Sequence, residues 1–138
     1  MTDQMPLVVV DAANVVGSVP DGWWRDRLGA ARRLRDALVR DAAEGLAATG
    51  SVPDWTETGP LDVVLVVEGK ARGLTGVPGV DVVGTSGSGD DEIVRLVAAA
   101  RDADPGRRCA VVTADRELRA RVTALGAVAV GPRAVRRS

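Results

Sequence analysis

The chain has no histidine, no phenylalanine and no tyrosine, and it has a single cysteine and a single lysine. Each absence closes off a class of chemistry. Without histidine there is no imidazole general base, no Ser-His-Asp triad and no His-based zinc site. With Cys109 alone, neither an intrachain disulfide nor a Cys-based zinc site can form. Cys109 lies in an apolar run and reads as a small core residue. The only aromatics are Trp23, Trp24 and Trp55, so extensive stacking of nucleic-acid bases is not expected. No apolar run approaches the roughly 20 residues that a membrane helix needs. Residues 6–10 are too short for a signal-peptide core. A cytoplasmic protein with no membrane partner is the expectation.

What remains is aliphatic and rich in arginine. Apolar residues make up 46% of the 138 positions, enough for one ordinary core, so residues 1–138 are expected to form a single domain with a short basic tail from about residue 132. Net charge is −1 and does not by itself advertise a polyanion partner. Its distribution says more. Arginines crowd residues 25–40, and Arg133, Arg136 and Arg137 lie in the tail. With five of the 19 acids set aside as one cluster (Asp11, Glu68, Asp90, Asp91 and Asp115), 18 basic residues face 14 acidic ones. A negative site in a mildly positive body suits divalent cations held under a phosphate chain.

Short β-branched runs predict strands at residues 7–10, 61–67, 80–83, 109–112 and 127–130. Between them, helical periodicity covers residues 23–48, with Trp24, Leu28, Ala31, Leu34, Leu38, Ala42 and Leu46 as its apolar stripe, then 90–103 and 116–125. Residues 11–22 read as a loop with Gly17, Pro20 and Gly22 as breakers; 49–60 and the Gly-rich 68–78 read as irregular. Strands that are apolar throughout, alternating with helices, predict an α/β fold: a doubly wound, mainly parallel sheet of about five strands with helices on both faces. Such sheets place their sites outside the carboxyl ends of the strands.

The acids follow that rule. Asp11 ends the first strand and Glu68 the second; Asp90 and Asp91 open the helix after the third; Asp115 opens the helix after the fourth. In a parallel sheet all five share one edge. Clustered carboxylates repel unless a cation joins them, and oxygen donors without His or Cys suit Mg²⁺ or Mn²⁺. A cation so held can activate water and offset the charge of a phosphodiester transition state. Ordinary structural roles are also available. Asp115 suits an N-cap, Ser88 and Asp91 have capping-box spacing, Asp90 suits a helix dipole and Asn14 a turn. Asp11 and Glu68, directly after apolar runs, lack such a role.

The stretch Val8-Val9-Val10-Asp11-Ala12-Ala13-Asn14-Val15-Val16-Gly17 resembles the opening of the NYN domains, a branch of the PIN-like nuclease superfamily, in which a buried strand ends in D-x-x-N. Gly87-Ser88-Gly89-Asp90-Asp91-Glu92-Ile93 is similar to that family's second acidic motif, and Val111-Val112-Thr113-Ala114-Asp115-Arg116-Glu117-Leu118 to its third, a T-x-D after a strand. Glu68 stands where relatives often carry another acid, more often Asp. The resemblance runs over residues 7–130 with the motifs in order. It implies Mg²⁺- or Mn²⁺-dependent cleavage of RNA, less often DNA. Asp11, Asp90 and Asp115 would be metal carboxylates joined by Glu68, with Asp91 competing with Asp90. Asn14 would bond a metal water or a phosphate, and Thr113 would support the third motif and the substrate. Lys70 and Arg72 would meet phosphates.

Other readings fit less well. Val67-Glu68-Gly69-Lys70 has a Toprim-like look, but the later Asp115-Arg116-Glu117 breaks the D-x-D of a Toprim phosphotransfer enzyme. Ala13 occupies the second Asp of a haloacid-dehalogenase D-x-D, a receiver's Lys is missing, and residues 84–89 lack a P-loop ending. A non-catalytic PIN-like domain that binds nucleic acid or nucleotide is the main alternative. Trp23 and Trp24, at a helix start, are candidates for an exposed patch that meets a second copy or a protein partner.

Overall fold

The computed structural model of the chain describes residues 5–18, 22–47 and 52–135. Five strands form one sheet: β1 (Leu7–Asp11), β2 (Asp62–Glu68), β3 (Val80–Thr85), β4 (Cys109–Val112) and β5 (Val128–Val130). Their spatial order is β3-β2-β1-β4-β5 and every pairing is parallel. Four helices occur among the described residues: α1 (Ala12–Gly17), α2 (Arg27–Glu44), α3 (Gly89–Ala103) and α4 (Arg116–Ala124). The expected α/β fold with a parallel sheet is the fold observed.

The strands are apolar throughout because both faces are covered. Val8, Val10, Leu65, Val67 and Val112 pack under α1 and α2, against Val15, Leu34 and Leu38. Val9, Val64, Val66 and Val111 face the other way, against Ile93 and Val97 of α3 and Leu118 and Val122 of α4. Cys109 is buried in that second layer. Burying a Val or Leu side chain stabilises by about 1.5–3 kcal/mol, so these two layers set the register of the sheet.

At the amino edge, Arg107 closes the sheet. Its Nη2 donates to Asp62 Oδ2 at 2.7 Å and its Nε to the Met5 carbonyl at 3.0 Å. At the carboxyl edge lies the switch point. The chain leaves β1 towards β2 over one face and returns from β3 to β4 over the other, so β1 and β4 are neighbours whose connections diverge. In open sheets of this kind, ligands bind outside the carboxyl ends of the strands at such a point.

Several expectations are corrected. Residues 12–17 are helical rather than a loop. Asp11 caps them by accepting from Asn14 N, and complete burial of Val15 outweighs the poor helix propensity of Val15, Val16 and Gly17. The long helix starts at Arg27, not at residue 23, because Asp26 Oδ1 caps it through Gly29 N at 2.9 Å. Residues 23–25 form a separate 3-10 turn, and Trp24 and Leu28 therefore fall outside the core, 54% and 36% exposed. Gly45, at φ 102°, ends α2; Ala48 lies outside the described residues. Short 3-10 turns at Asp54–Glu57 and Gly69–Ala71 order parts of the two stretches read as irregular. Ser88 does cap α3, accepting from Asp90 N at 3.2 Å, but Asp91 turns to Arg121 at 3.0 Å instead of completing a capping box. No helix among the described residues is long and apolar enough to cross a membrane.

Candidate active site at the carboxyl edge

Asp11 is the last residue of β1 and is buried, 7% exposed. A Val-Val-Val run leaves no room for a charged side chain within the sheet, so the acid comes where the strand emerges. Its Oδ2 accepts from the Thr113 hydroxyl at 3.0 Å, and its Oδ1 accepts a longer bond from Asn14 N at 3.4 Å. Burial pushes the Asp11 carboxyl above its ordinary value, the two hydrogen bonds partly counter this, and the charges of Asp90 and Glu68 push it further up.

Thr113 is completely buried and links two acids. Its hydroxyl donates to Asp11 and accepts from Asp115 N at 3.1 Å. It therefore positions the acids, and its hydroxyl is already committed within the protein. Asp115 caps α4 through Leu118 N at 3.1 Å, which engages one carboxylate oxygen. Arg119 holds the same turn, donating to the Thr113 carbonyl at 2.9 Å. Asn14 Oδ1 accepts from Ala114 N at 2.8 Å and ties the turn after β1 to the turn after β4. Its amide NH₂ carries the side chain's donors.

Glu68 ends β2, and its Oε2 accepts from Gly89 N at 2.6 Å. A Cβ at Gly89 would stand 2.6 Å from the same oxygen, so a larger residue there would displace the Glu68 carboxylate. Glu68 is thus drawn towards the start of α3, beside Asp90. The Asp90 carboxyl is also raised, first by desolvation and then by the charges of Asp115 and Glu68; Arg121 works in the opposite direction. Asp11, Glu68, Asp90 and Asp115 thus form one electrostatically linked group. None of the four forms a salt bridge among the described residues. Asp91, one residue on, has an exposed side chain paired with Arg121. Helix phase therefore separates Asp90, beside the other acids, from Asp91.

The donor set is all oxygen, which fits a hard divalent cation. Among the described residues no group of three or more acids is placed to hold a metal ion. Mg²⁺ keeps several waters and needs only one or two carboxylates.

Arg72 is exposed on the turn after β2, close to Glu68 in the chain; the side chain of Lys70 lies outside the described residues. Two contributors were not evident from the sequence. Arg121 lies one helix away from Asp90 and Asp91, and its tie to them exists only once α3 and α4 pack together. Arg27 opens α2 and lines a groove beside Glu68; only the position of the Asp26 cap would have marked it.

The fold is shared with known structures. Rae1 (YacP) from Bacillus subtilis superposes with a TM-score of 0.69 at 20% identity, over 94% of this chain and 71% of that one. A point variant of the same protein gives 0.70 at 19%, over 94% and 72%. At this identity the likeness establishes the fold alone, a parallel five-stranded α/β sheet. No protein-family model matches the chain, and neither does any curated protein.

Proposed function

We propose that the protein is a metal-dependent nuclease that hydrolyses phosphodiester bonds of RNA at the carboxyl edge of its sheet. One observation carries the reading: four carboxylates from four separate segments gather at the switch point with no salt bridge among the described residues, two of them with raised pKa values. An acidic group of this kind disfavours the folded state unless something cationic completes it. The order of the three motifs, similar to that of NYN domains, and the fold shared with Rae1 agree with the reading.

Asp11, Asp90 and Asp115, with Glu68 beside them, would hold Mg²⁺ or Mn²⁺. Bound there, such a cation supplies water activation and neutralises charge on the transferring phosphate. The remaining work falls to the chain. Thr113 fixes the rotamer of Asp11 through its buried hydroxyl. The Asn14–Ala114 bond keeps the β1 and β4 turns at constant separation and aims the Asn14 NH₂ group at a phosphate oxygen or a water. Arg72 and Lys70 attract the phosphate chain.

The test is incubation of wild type and Asp11→Asn with end-labelled single-stranded and structured RNA, in Mg²⁺, Mn²⁺ or chelator, with products resolved by length. Cleavage that needs metal and is lost in the variant is the expected result. Equal background in both proteins for every metal and substrate would sink the nuclease reading.

A further inference from the structure

Next to the carboxylates, with Glu68 as the dividing wall, a cavity of about 190 Å³ opens between α1, the first turn of α2 and the turn after β2. Its walls are small and apolar: Ala12, Ala13, Val16, Ala31 and Ala71. Arg27 stands at its margin, and from there a shallower groove continues to Arg72 and Gly73. The helix α2 runs antiparallel to β2, since Leu61 N at the start of β2 donates to the Ala42 carbonyl near the helix end. The first turn of α2 therefore sits at the carboxyl edge, and so does the 3-10 turn just before it. That turn presents Trp24, 54% exposed, with the Arg25 guanidinium 5.9 Å from its ring centroid.

The size and lining of the cavity suit a ring. An apolar cavity of about 150 Å³ accepts a benzene molecule, and this one is larger and open. Small walls alone would admit any flat apolar group. Arg27 and Arg72 along one continuous groove narrow the choice to a ring carried on an anionic chain, and the carboxylate centre lies immediately across Glu68. An exposed Trp in the 3-10 turn just before Arg27 adds a second flat surface at the same edge of the sheet, and base–aromatic stacking needs no particular base.

We propose that this cavity is a base-accepting subsite for single-stranded nucleic acid. An unpaired base next to the phosphodiester at the carboxylates inserts between Ala13 and Ala31, Arg27 and Arg72 hold the adjoining phosphates, and Trp24 stacks a neighbouring base. A paired base cannot enter, so the subsite selects unpaired strands. The position of the scissile phosphate rests on the nuclease reading; the binding itself does not.

The test measures binding by anisotropy of fluorescein-labelled RNA in chelator, as a single strand and as the same sequence in duplex. Ala13→Leu fills the cavity from α1. Trp24→Ala removes the platform and Trp24→Phe keeps one. Single-strand affinity falls about tenfold in Ala13→Leu and in Trp24→Ala and stays within about threefold in Trp24→Phe, the scale of one lost stacking contact. Duplex binding is unchanged. Melting curves verify folding, and should Ala13→Leu fail to fold, the Trp24 pair decides. Wild-type affinity in both Ala13→Leu and Trp24→Ala, or an equal loss for duplex, overturns the subsite. The two readings fail separately. Metal-dependent cleavage alongside unaltered binding in these variants keeps the nuclease and removes the subsite; weakened binding in a protein that cuts nothing keeps the subsite and removes the nuclease.

Discussion

The two edges of the sheet treat their acids in opposite ways. At the amino edge Asp62 opens β2 and meets Arg107 at 2.7 Å, and the same guanidinium secures the Met5 carbonyl. At the carboxyl edge Glu68 closes the same strand and meets a backbone N–H, while its neighbours are Asp90 and Asp11. One strand thus carries an arginine-paired acid at one end and, at the other, an acid with no salt bridge among the described residues. The contrast separates stability from function. Pairing a half-buried carboxylate with arginine favours folding; grouping carboxylates without one opposes it, and is retained where a cation or a reaction makes use of it.

The largest expected effect sharpens that contrast. Asp11→Asn and Asp90→Asn reduce metal-dependent RNA cleavage to background, whereas Asp91→Asn, an exposed side chain paired with the half-buried Arg121, leaves it near wild type; a cleavage time course in Mn²⁺ distinguishes them. Thr113→Val, which removes the hydroxyl between Asp11 and Asp115, lowers activity or metal affinity by about 10–100-fold, the scale seen when a group supporting a metal ligand is lost. Metal titration of the cleavage rate reads that effect.

Stability shows smaller effects of opposite sign at the two edges. Arg107→Ala destabilises by about 1–2 kcal/mol, because Asp62 and the Met5 carbonyl lose a charged partner that is itself mostly buried; the urea midpoint measures it. Asp90→Asn should instead stabilise the metal-free protein at pH 7, by less than about 1 kcal/mol, since the removed charge is partly exposed and screened. Equal destabilisation at both edges would erase the contrast.

The pH dependence has a defined sign. The Asp11 carboxyl is raised above 3.8 in the folded protein. Its contribution to stability is therefore fully present below 3.8, where both states are protonated, and is lost as pH rises through the raised value. In chelator, wild type should lose stability relative to Asp11→Asn across that window. Added Mg²⁺ or Mn²⁺ should recover it at neutral pH in wild type only, as for any ligand that binds the native state alone. Thermal melts with and without chelator test both statements.

Much of this was legible in the linear chain. Five β-branched runs with helical periodicity between them are local patterns, and burial on both faces leaves no other use for strands such as residues 7–10. The placement of Asp11, Glu68, Asp90 and Asp115 at one edge follows from parallel strands alone. Missed elements were those where local preference and packing disagree. Val15, Val16 and Gly17 are poor helix formers, yet they wind into α1 because the core takes Val15. Trp24 and Leu28 match the helical stripe, yet the Asp26 cap starts the helix after Trp24 and both side chains stay exposed.

By itself the sequence determined the fold class, the approximate position of each strand and which acids share an edge, because periodicity and strand polarity are properties of the chain read in order. Only the tertiary structure decided which carboxylates act on one another, that Asp91 pairs with Arg121 while Asp90 does not, and that Thr113 is sealed between Asp11 and Asp115. Those outcomes depend on helix phase and on contacts between residues about a hundred positions apart, such as Thr113 to Asp11 and Ala114 to Asn14. No local pattern encodes such pairings; they exist only once β1 and β4 lie side by side.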